Sequence, residues 1–257
     1  PRPRPDVSAL KRAVELILSA KKPMIIAGGG VIYSEAEKTL QDFINATGIP
    51  VGETFAGKGS LPYNDPHNLG ATGATGTEGA NAISTAADVV IGIGTRYSDF
   101  TTASKTAFQN KNVKFININI TEFDAHKHSG HALTGDAKVI LEELLEELKD
   151  YKVDNSYRTK VADYNKSWDE KVAHAYNADD KEIPSQSEVI GAVNNFIEPK
   201  DVVLCASGSA PGDLHKLWRT RDSKGFHLEY GYSCMGYEIS GGLGAKMACP
   251  DREIYVI

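Results

Sequence analysis

The chain has 257 residues, of which 41% are hydrophobic and 24% are charged, and it carries a formal net charge of −6. This composition is ordinary for a globular protein of one or two domains. The negative charge and the lack of a basic cluster argue against nucleic acid or an anionic membrane as a partner. No apolar run is long enough to span a bilayer. The three cysteines lack the spacing of a zinc site, which favours free thiols in a cytoplasmic protein over a disulfide framework.

Both ends of the chain suggest a longer polypeptide. The chain starts with Pro-Arg-Pro-Arg-Pro, a composition typical of an interdomain linker. At the other end, residues 254–257 begin an apolar strand that stops after four residues. We therefore expect the sequence to be part of a larger protein.

Strand and helix patterns alternate over residues 1–150. Because alternating strands and helices build βαβ units, this region predicts an α/β domain with a doubly wound parallel sheet of at least five strands and helices on both faces. The first helix is capped by Asp6 or Ser8 and has one apolar face, formed by Leu10, Val14, Ile17 and Leu18. Further helices are predicted at 35–47, 77–85 and 137–149, and strands at 24–27, 49–51, 88–93 and 113–120. Six strand residues should be buried: Met24, Ile25, Val89, Val90, Phe115 and Ile116.

A second, incomplete α/β domain is predicted over residues 185–257. Residues 151–184 are polar with scattered aromatic side chains, which indicates a mostly helical connector on a surface. Ser185 then caps a helix, and residues 202–205 form a strand. The apolar positions of that helix are Val189, Ile190, Val193, Phe196 and Ile197. A later helix has small residues at 241, 242, 244, 245 and 248, so another backbone could pack close to it.

Two motifs in the first domain allow more than one interpretation. The glycines at 28–30 follow a strand and could admit a nucleotide phosphate, but Tyr33 breaks the GxGxxG pattern, so a tight turn is the favoured reading. His126, His128 and His131 could ligate a metal, although a solvated surface cluster is more common for such a set.

Two short segments of the second domain have the properties of an anion or cofactor site. Residues 207–215 follow a strand, and their small side chains would expose backbone N–H donors. A helix starting at Gly212 would add the positive end of its dipole. The alternative is a plain loop beside a buried Trp218. The second segment is the Gly-punctuated turn at 231–236, which ends in Met235 and Gly236.

Taken in order, these motifs resemble the thiamine-diphosphate (ThDP) enzymes of the acetolactate synthase type, and the first domain does so along nearly its whole length. The turn ending in Met-Gly and the Gly/Ala helix resemble the start of the cofactor-binding domain. The first domain resembles the family's middle domain. The matching landmarks are residues 22–23, 27–30, 47–51, 87–96, 135–137, 235–236, 242, 244–246, 250–252 and 254–257. One departure is that Asn117 and Asn119 stand where the middle domain often has aspartates, so we expect no tight binding of FAD.

The resemblance implies a ThDP site built in part by this chain. The loop would face the diphosphate, and Met235 would support the bent cofactor from below. The Mg²⁺ ligands would lie beyond Ile257 and the activating Glu in another domain, so the resemblance implies no catalytic residue and no metal ligand in this chain. The implied cofactor-binding residues are Ser209, Ala210, Gly212, Asp213, His215, Gly231, Tyr232, Ser233, Cys234, Met235 and Gly236.

Several functions stay open on the sequence alone. Within the family, the two segments are most similar to members that hydrolyse a carbon–carbon bond of a small cyclic dione. Acetolactate synthases and other ThDP carboligases are the first alternative, although they usually carry Gly-Leu-Gly-Thr-Met-Gly at the position of residues 231–236. A non-catalytic nucleotide-binding regulatory module built on the first domain is the second. The resemblance also implies a homodimer or homotetramer, with this chain inactive alone.

Overall fold

A computed structural model describes residues 1–177, 183–229 and 231–257. The predicted connector includes residues 178–182, which lie outside the described residues, as does Tyr230 beside the Gly-rich turn. Within the described ranges, no helix is both long and apolar enough to cross a membrane.

The first sheet has six parallel strands, which confirms the predicted α/β class. Its spatial order is β3-β2-β1-β4-β5-β6, so the chain leaves β1 in one direction and later returns to its other side as β4. Side chains of β1, β4 and β5 form the centre of the core, and the six strand residues predicted to be buried are all buried. The strands are β1 (Pro23–Ala27), β2 (Val51–Glu53), β3 (Asn68–Ala71), β4 (Val89–Ile93), β5 (Lys114–Asn119) and β6 (His131–Thr134).

The four predicted helices of this region lie close to their predicted positions, whereas three short helices, α2, α5 and α6, were not predicted. Asp6, not Ser8, caps the first helix, accepting the backbone N–H groups of Ser8 and Ala9 at 2.9 and 3.0 Å. The predicted apolar face is wrong at Leu18, which is 54% exposed, whereas Ala13 is buried. The helices are α1 (Val7–Ser19), α2 (Gly29–Tyr33), α3 (Glu37–Thr47), α4 (Glu78–Ala86), α5 (Asp99–Thr102), α6 (Glu122–Ala125) and α7 (Ala137–Leu148).

A long helix and a small second sheet follow. Helix α8 (Asn155–Tyr176) occupies most of the predicted connector and packs against α4 and α9 (Gln186–Phe196). Ser185 caps α9 through a reciprocal bond with Glu188, but Val189 and Phe196 are exposed, contrary to prediction. The remaining elements are β7 (Val202–Cys205), α10 (Ala210–Leu217), β8 (Phe226–Leu228), α11 (Tyr237–Ala248) and β9 (Ile254–Val256). The sheet is parallel, in the order β8-β7-β9.

Candidate functional site

The two segments predicted to bind the cofactor lie at one edge of the small sheet. Residues 206–209 follow β7, and residues 229–236 follow β8. Because β7 and β8 are parallel neighbours, their carboxyl ends meet at the same edge. β7 is central in this sheet, so the chain goes to one side of it for β8 and to the other for β9. Such a reversal of direction creates a crevice at the carboxyl ends of the strands, where ligands commonly bind in α/β folds.

The loop after β7 presents backbone donors to solvent. Gly208 has φ of 93°, with no atom within 4 Å of the position that a Cβ would take. The backbone N–H groups of Gly208 and Ser209 donate to no group in the described ranges. Helix α10 begins at Ala210, two residues earlier than predicted, and Ser209 at its N-cap makes no side-chain bond to it. The free donors and the positive end of the α10 dipole fit a diphosphate group.

Glu229 shapes the turn after β8. Its Oε1 accepts the backbone N–H groups of Gly231 and Tyr232 at 2.8 and 3.0 Å, and its Oε2 accepts that of Cys234 at 2.9 Å. The N–H groups of Cys234, Tyr232 and Gly231 hold the pKa of Glu229 below its ordinary value, so the carboxylate is charged at neutral pH. The turn itself is exposed to solvent, and Met235 is 89% exposed. A bulky apolar side chain held out in this way fits a contact with a cofactor ring.

Glu238 joins the two segments. Its Oε1 accepts the backbone N–H of Ser207 at 3.1 Å, and its Oε2 accepts that of Gly236 at 2.9 Å. The backbone N–H groups of Glu238 itself and of Ser207 lower the pKa of this carboxyl group, which is therefore charged at neutral pH. The structure thus brings the predicted residues at 209–212 and 231–236 to one edge of the sheet.

His215 is placed differently from the other predicted cofactor residues. It is buried on the inner face of α10, where Nε2 donates to the carbonyl oxygen of Glu53 at 3.2 Å and Nδ1 accepts from the hydroxyl of Thr75 at 2.8 Å. Its ring also stacks on Phe55, with centroids 4.1 Å apart. Burial, with a smaller contribution from Lys58, lowers the pKa of His215 to about 3. This neutral ring contacts the first domain. Because it is buried, it cannot contact a ligand at the exposed loop.

Asp213 and Trp218 also have structural partners. Asp213 accepts a hydrogen bond of 2.6 Å from Gln186 and lies 3.9 Å from Nζ of Lys216. Trp218 is buried, as the plain-loop alternative expected, and belongs to the core of the second domain. Among the predicted loop residues, Asp213 and His215 therefore have protein partners, and those at 209–212 lie beside the free backbone N–H groups.

A large cavity, with a volume of about 730 Å³, lies at the carboxyl edge of the first sheet. It opens where the strand order reverses between β1 and β4, and residues 231–233 of the Gly-rich turn form part of its wall. Gly29 and Gly30 line this cavity, and the preceding Gly28 lies against Gly94. A Cβ at Gly28 would lie 2.4 Å from the carbonyl oxygen of Gly94, and one at Gly30 would lie 2.5 Å from the Cα of Gly94. Close backbone contact therefore accounts for Gly28 and Gly30, whereas a Cβ at Gly29 would lie 3.0 Å from the Cβ of Ala56.

Asn117 and Asn119, which replace the family's aspartates, both use their amide groups as donors. Asn117 Nδ2 donates to the carbonyl oxygens of Ala125 and Lys127 at 3.0 and 2.8 Å. Asn119 Nδ2 donates to the carbonyl oxygen of Thr95 at 3.1 Å. A carboxylate cannot donate, so aspartate at either position would lose these bonds and face carbonyl oxygens instead. The substitution thus has a structural reason.

The three histidines of the HxHxxH motif make separate contacts. Nδ1 of His126 lies 3.0 Å from the carbonyl oxygen of Glu122, and Nε2 of His131, the first residue of β6, lies 2.7 Å from that of Ala9. His128 stacks on Phe115. Within the ranges that the structure describes, no three His, Cys, Asp or Glu side chains are grouped to hold a metal.

Comparison with known proteins identifies the class. Residues 10–144 match the thiamine pyrophosphate enzyme central domain, and residues 206–257 match the thiamine pyrophosphate enzyme C-terminal TPP binding domain. The chain therefore belongs to the thiamine pyrophosphate enzyme family, thiamine pyrophosphate being another name for ThDP.

Three of its relatives are named as the same hydrolase. The chain is 41% identical, over 98% of its length, to proteins of Bacillus cereus (strain AH820) and Bacillus anthracis named 3D-(3,5/4)-trihydroxycyclohexane-1,2-dione hydrolase. It is 42% identical to hydrolase 2 of the same name from another strain of Bacillus cereus. The chain spans 43% of the length of each of these relatives.

Sequence reasoning missed Glu229 and Glu238. Both are acidic residues beside a Gly-rich turn, where free backbone N–H groups are common, and that is the signal that could have found them. Glu238 accepts a hydrogen bond from the backbone N–H of Ser207. These two residues are distant in sequence and are brought together by the parallel pairing of β7 and β8.

The neutral state of His215 predicts a dependence of stability on pH. The folded-state pKa lies below the ordinary value of 6.5, so the unfolded chain binds a proton that the folded chain excludes between pH 6.5 and about 3. As the pH is lowered through this window, the free energy of unfolding should therefore decrease by up to about 1.4 kcal/mol per pH unit. His215→Phe should remove that component, at a cost of about 1–3 kcal/mol for each polar group left unpaired. Urea denaturation at several pH values measures both effects.

The matched control is His174→Phe, because His174 is exposed on α8. This control should keep the pH dependence of the parent. If His215→Phe has the same pH dependence as the parent protein, then His215 is not the neutral contact between the two domains.

Flavin content tests the interpretation of the first domain. Asn119 lies at the carboxyl end of β5 on the wall of the large cavity, where its amide is engaged with Thr95. Dinucleotide sites of this kind use an acidic residue at a strand end to bind ribose hydroxyls. The full-length protein should therefore purify without stoichiometric FAD. Visible absorbance of the purified protein and of a heat-released extract measures this, and a yellow protein with one flavin per chain would contradict it.

Proposed function

We propose that this chain forms the middle domain and the first part of the cofactor-binding domain of a ThDP-dependent hydrolase. The proposed reaction cleaves a ring carbon–carbon bond of 3D-(3,5/4)-trihydroxycyclohexane-1,2-dione and gives 5-deoxy-glucuronic acid, in the cytoplasmic catabolism of inositol. The observation that carries the proposal is the identity of 41–42% over 98% of the chain to hydrolases named for that dione. The sequences of the loop at 207–215 and the turn at 231–236 favour the same function.

The proposed reaction adds one water molecule across one carbon–carbon bond. One carbonyl carbon of the dione becomes a carboxylic acid, the ring opens, and the carbon on the other side of the broken bond takes a proton. No oxidant or reductant is needed. When bound, ThDP supplies a nucleophilic carbon and an electron sink for the bonding electrons.

The residues of this chain would bind and orient the cofactor. In the proposed arrangement, the N–H groups of residues 208–210 and the N-terminus of α10 bind the diphosphate. Met235 supports the cofactor ring, and Glu229 holds the turn that carries Met235. The exposure of these groups supports the proposal, because a buried segment could not meet a cofactor.

Other parts of the site are proposed to lie outside residues 1–257. The carboxylate that activates the aminopyrimidine and the ligands of a Mg²⁺ ion are among them. A homodimer or homotetramer of the full-length protein is part of the same proposal, and the fragment alone is expected to be inactive.

Two other functions have a specific observation in their favour. An acetolactate synthase or another ThDP carboligase would share the family match, but the turn at 231–236 reads Gly-Tyr-Ser-Cys-Met-Gly and lacks their usual sequence. A nucleotide-binding regulatory module would use the large cavity at the carboxyl edge of the first sheet. The cofactor-domain match at residues 206–257 favours an enzyme over such a module.

An assay of the full-length protein separates these functions. The protein is incubated with ThDP and Mg²⁺ and offered either the cyclic dione or pyruvate, and the products are identified by mass and by NMR. Conversion of the dione into a product heavier by one water supports the proposal. Formation of acetolactate from pyruvate with no turnover of the dione would favour the carboligase, and no ThDP-dependent reaction with either compound would favour the regulatory module.

Met235→Ala tests the proposed support of the cofactor ring. Since Met235 is 89% exposed in this chain, its truncation should leave thermal stability nearly unchanged. In the full-length enzyme, the single-turnover rate should fall about ten-fold or more, which corresponds to about 1.4 kcal/mol of lost transition-state stabilisation. Thermal unfolding and rapid-quench kinetics on the same variant give both quantities.

The control is Met247→Ala on α11, a residue that is also exposed and lies away from the turn. It should turn over like the parent enzyme. If Met235→Ala instead lost about 2–5 kcal/mol of stability and turned over normally, Met235 would be a core residue of the assembled protein.

A further inference from the structure

We propose that Glu238 is a positioning residue, which holds the loop at 206–209 and the turn at 231–236 in a fixed relation so that both can contact one cofactor. This inference rests on the proposed function for its cofactor and goes beyond it in assigning a role to Glu238. The geometric part concerns the protein alone and can be tested without a ligand.

Each oxygen of the carboxylate serves a different segment. Oε1 accepts the backbone N–H of Ser207, after β7, and Oε2 accepts that of Gly236, at the end of the turn after β8. Among the described residues, these contacts provide the one hydrogen-bonded connection between segments 206–209 and 231–238. Two acceptor atoms are therefore needed to accept both N–H groups, and the side chain of glutamine has only one.

Apart from the buried Ala206, packing does not hold these segments in place. Gly208 and Gly236 have φ of 93° and 89°, and neither has an atom within 4 Å of the position that a Cβ would take. The residues at 231–236 are all exposed. A segment with few neighbouring atoms has many accessible conformations, so a bridging carboxylate removes much of its freedom.

Glu238 is well suited to this role by its position in the helix. It lies in the first turn of α11, where the positive end of the helix dipole favours a negative charge. The backbone donors around it, with its own N–H the largest contribution, lower its pKa, so the bridge is ionised at neutral pH.

Preorganisation gives the expected consequence for binding. In the proposed arrangement the diphosphate contacts the loop and the cofactor ring contacts the turn. If the two segments were not linked, ThDP would have to order both of them when it binds, and that entropy would weaken its affinity. We therefore expect Glu238 to affect the Kd of ThDP more than the stability of the fold.

The experiment compares full-length protein with its Glu238→Gln variant. Hydrogen–deuterium exchange without ligand should be faster in peptides that cover Ser207 and Gly236, because glutamine keeps one acceptor and places an NH₂ group against the second N–H. Isothermal titration of ThDP with Mg²⁺ should give a Kd about ten-fold higher or more. The Tm without cofactor should change little. Glu170→Gln on the exposed face of α8 removes the same charge and should match the parent in all three measurements.

The outcomes separate this inference from the proposed function. Unchanged exchange at both peptides overturns the bridge. Faster exchange with an unchanged Kd and a lowered Tm also overturns the proposal, because Glu238 would then have a merely structural role. Absence of ThDP binding to the parent protein overturns the proposed function and the cofactor part of this inference, while the exchange data still decide whether the bridge exists.

Discussion

The contact between α10 and the first domain is the constraint on which the rest of the structure depends. His215 is neutral and buried, bonded on one side to Thr75 and on the other to the backbone of Glu53, at the end of β2. Beneath it, the Glu53 side chain accepts the N–H groups of Gly59 and Leu61. Burial raises the pKa of Glu53, and the nearby charge of Lys58 offsets this only in part. Because polar groups buried without partners are costly, this set of contacts fixes how α10, and with it the loop before α10, is oriented on the larger sheet.

That orientation brings together the carboxyl edges of the two sheets, where the candidate site and the large cavity lie. The loop after β7 lies at the carboxyl edge of the small sheet, and the turn after β8 forms part of the wall of the cavity on the large sheet. Exposed backbone donors, with glycines at positive φ, are what a diphosphate requires, and a carboxylate such as Glu229 or Glu238 holds their geometry. In the proposed function, the chain would provide positioned backbone groups and one apolar support, and the bound cofactor would carry the reactive chemistry.

The sequence predicts the parallel fold well because its signals are local and strong. Apolar runs such as residues 89–93, and caps such as Asp6 and Asp136, fix the central strands and most helix ends. The same signals miss β3 and β6, which are four residues long and have no continuous apolar run. The resemblance also implied that His215 contacts the cofactor, whereas His215 lies on the buried face of α10 with Leu214. The roles of Glu229 and Glu238 depend on chain segments meeting in space, so periodicity and composition could not reveal them.

A structure of the full-length protein with ThDP and Mg²⁺ tests the central claim most directly. We predict that diphosphate oxygens lie within about 3.2 Å of backbone nitrogens in residues 208–210, and that the side chain of Met235 contacts the cofactor ring. Both segments should keep the arrangement they have here, with Glu238 between them. Cofactor bound elsewhere, with residues 208–210 and Met235 making no contact with it, would contradict that claim.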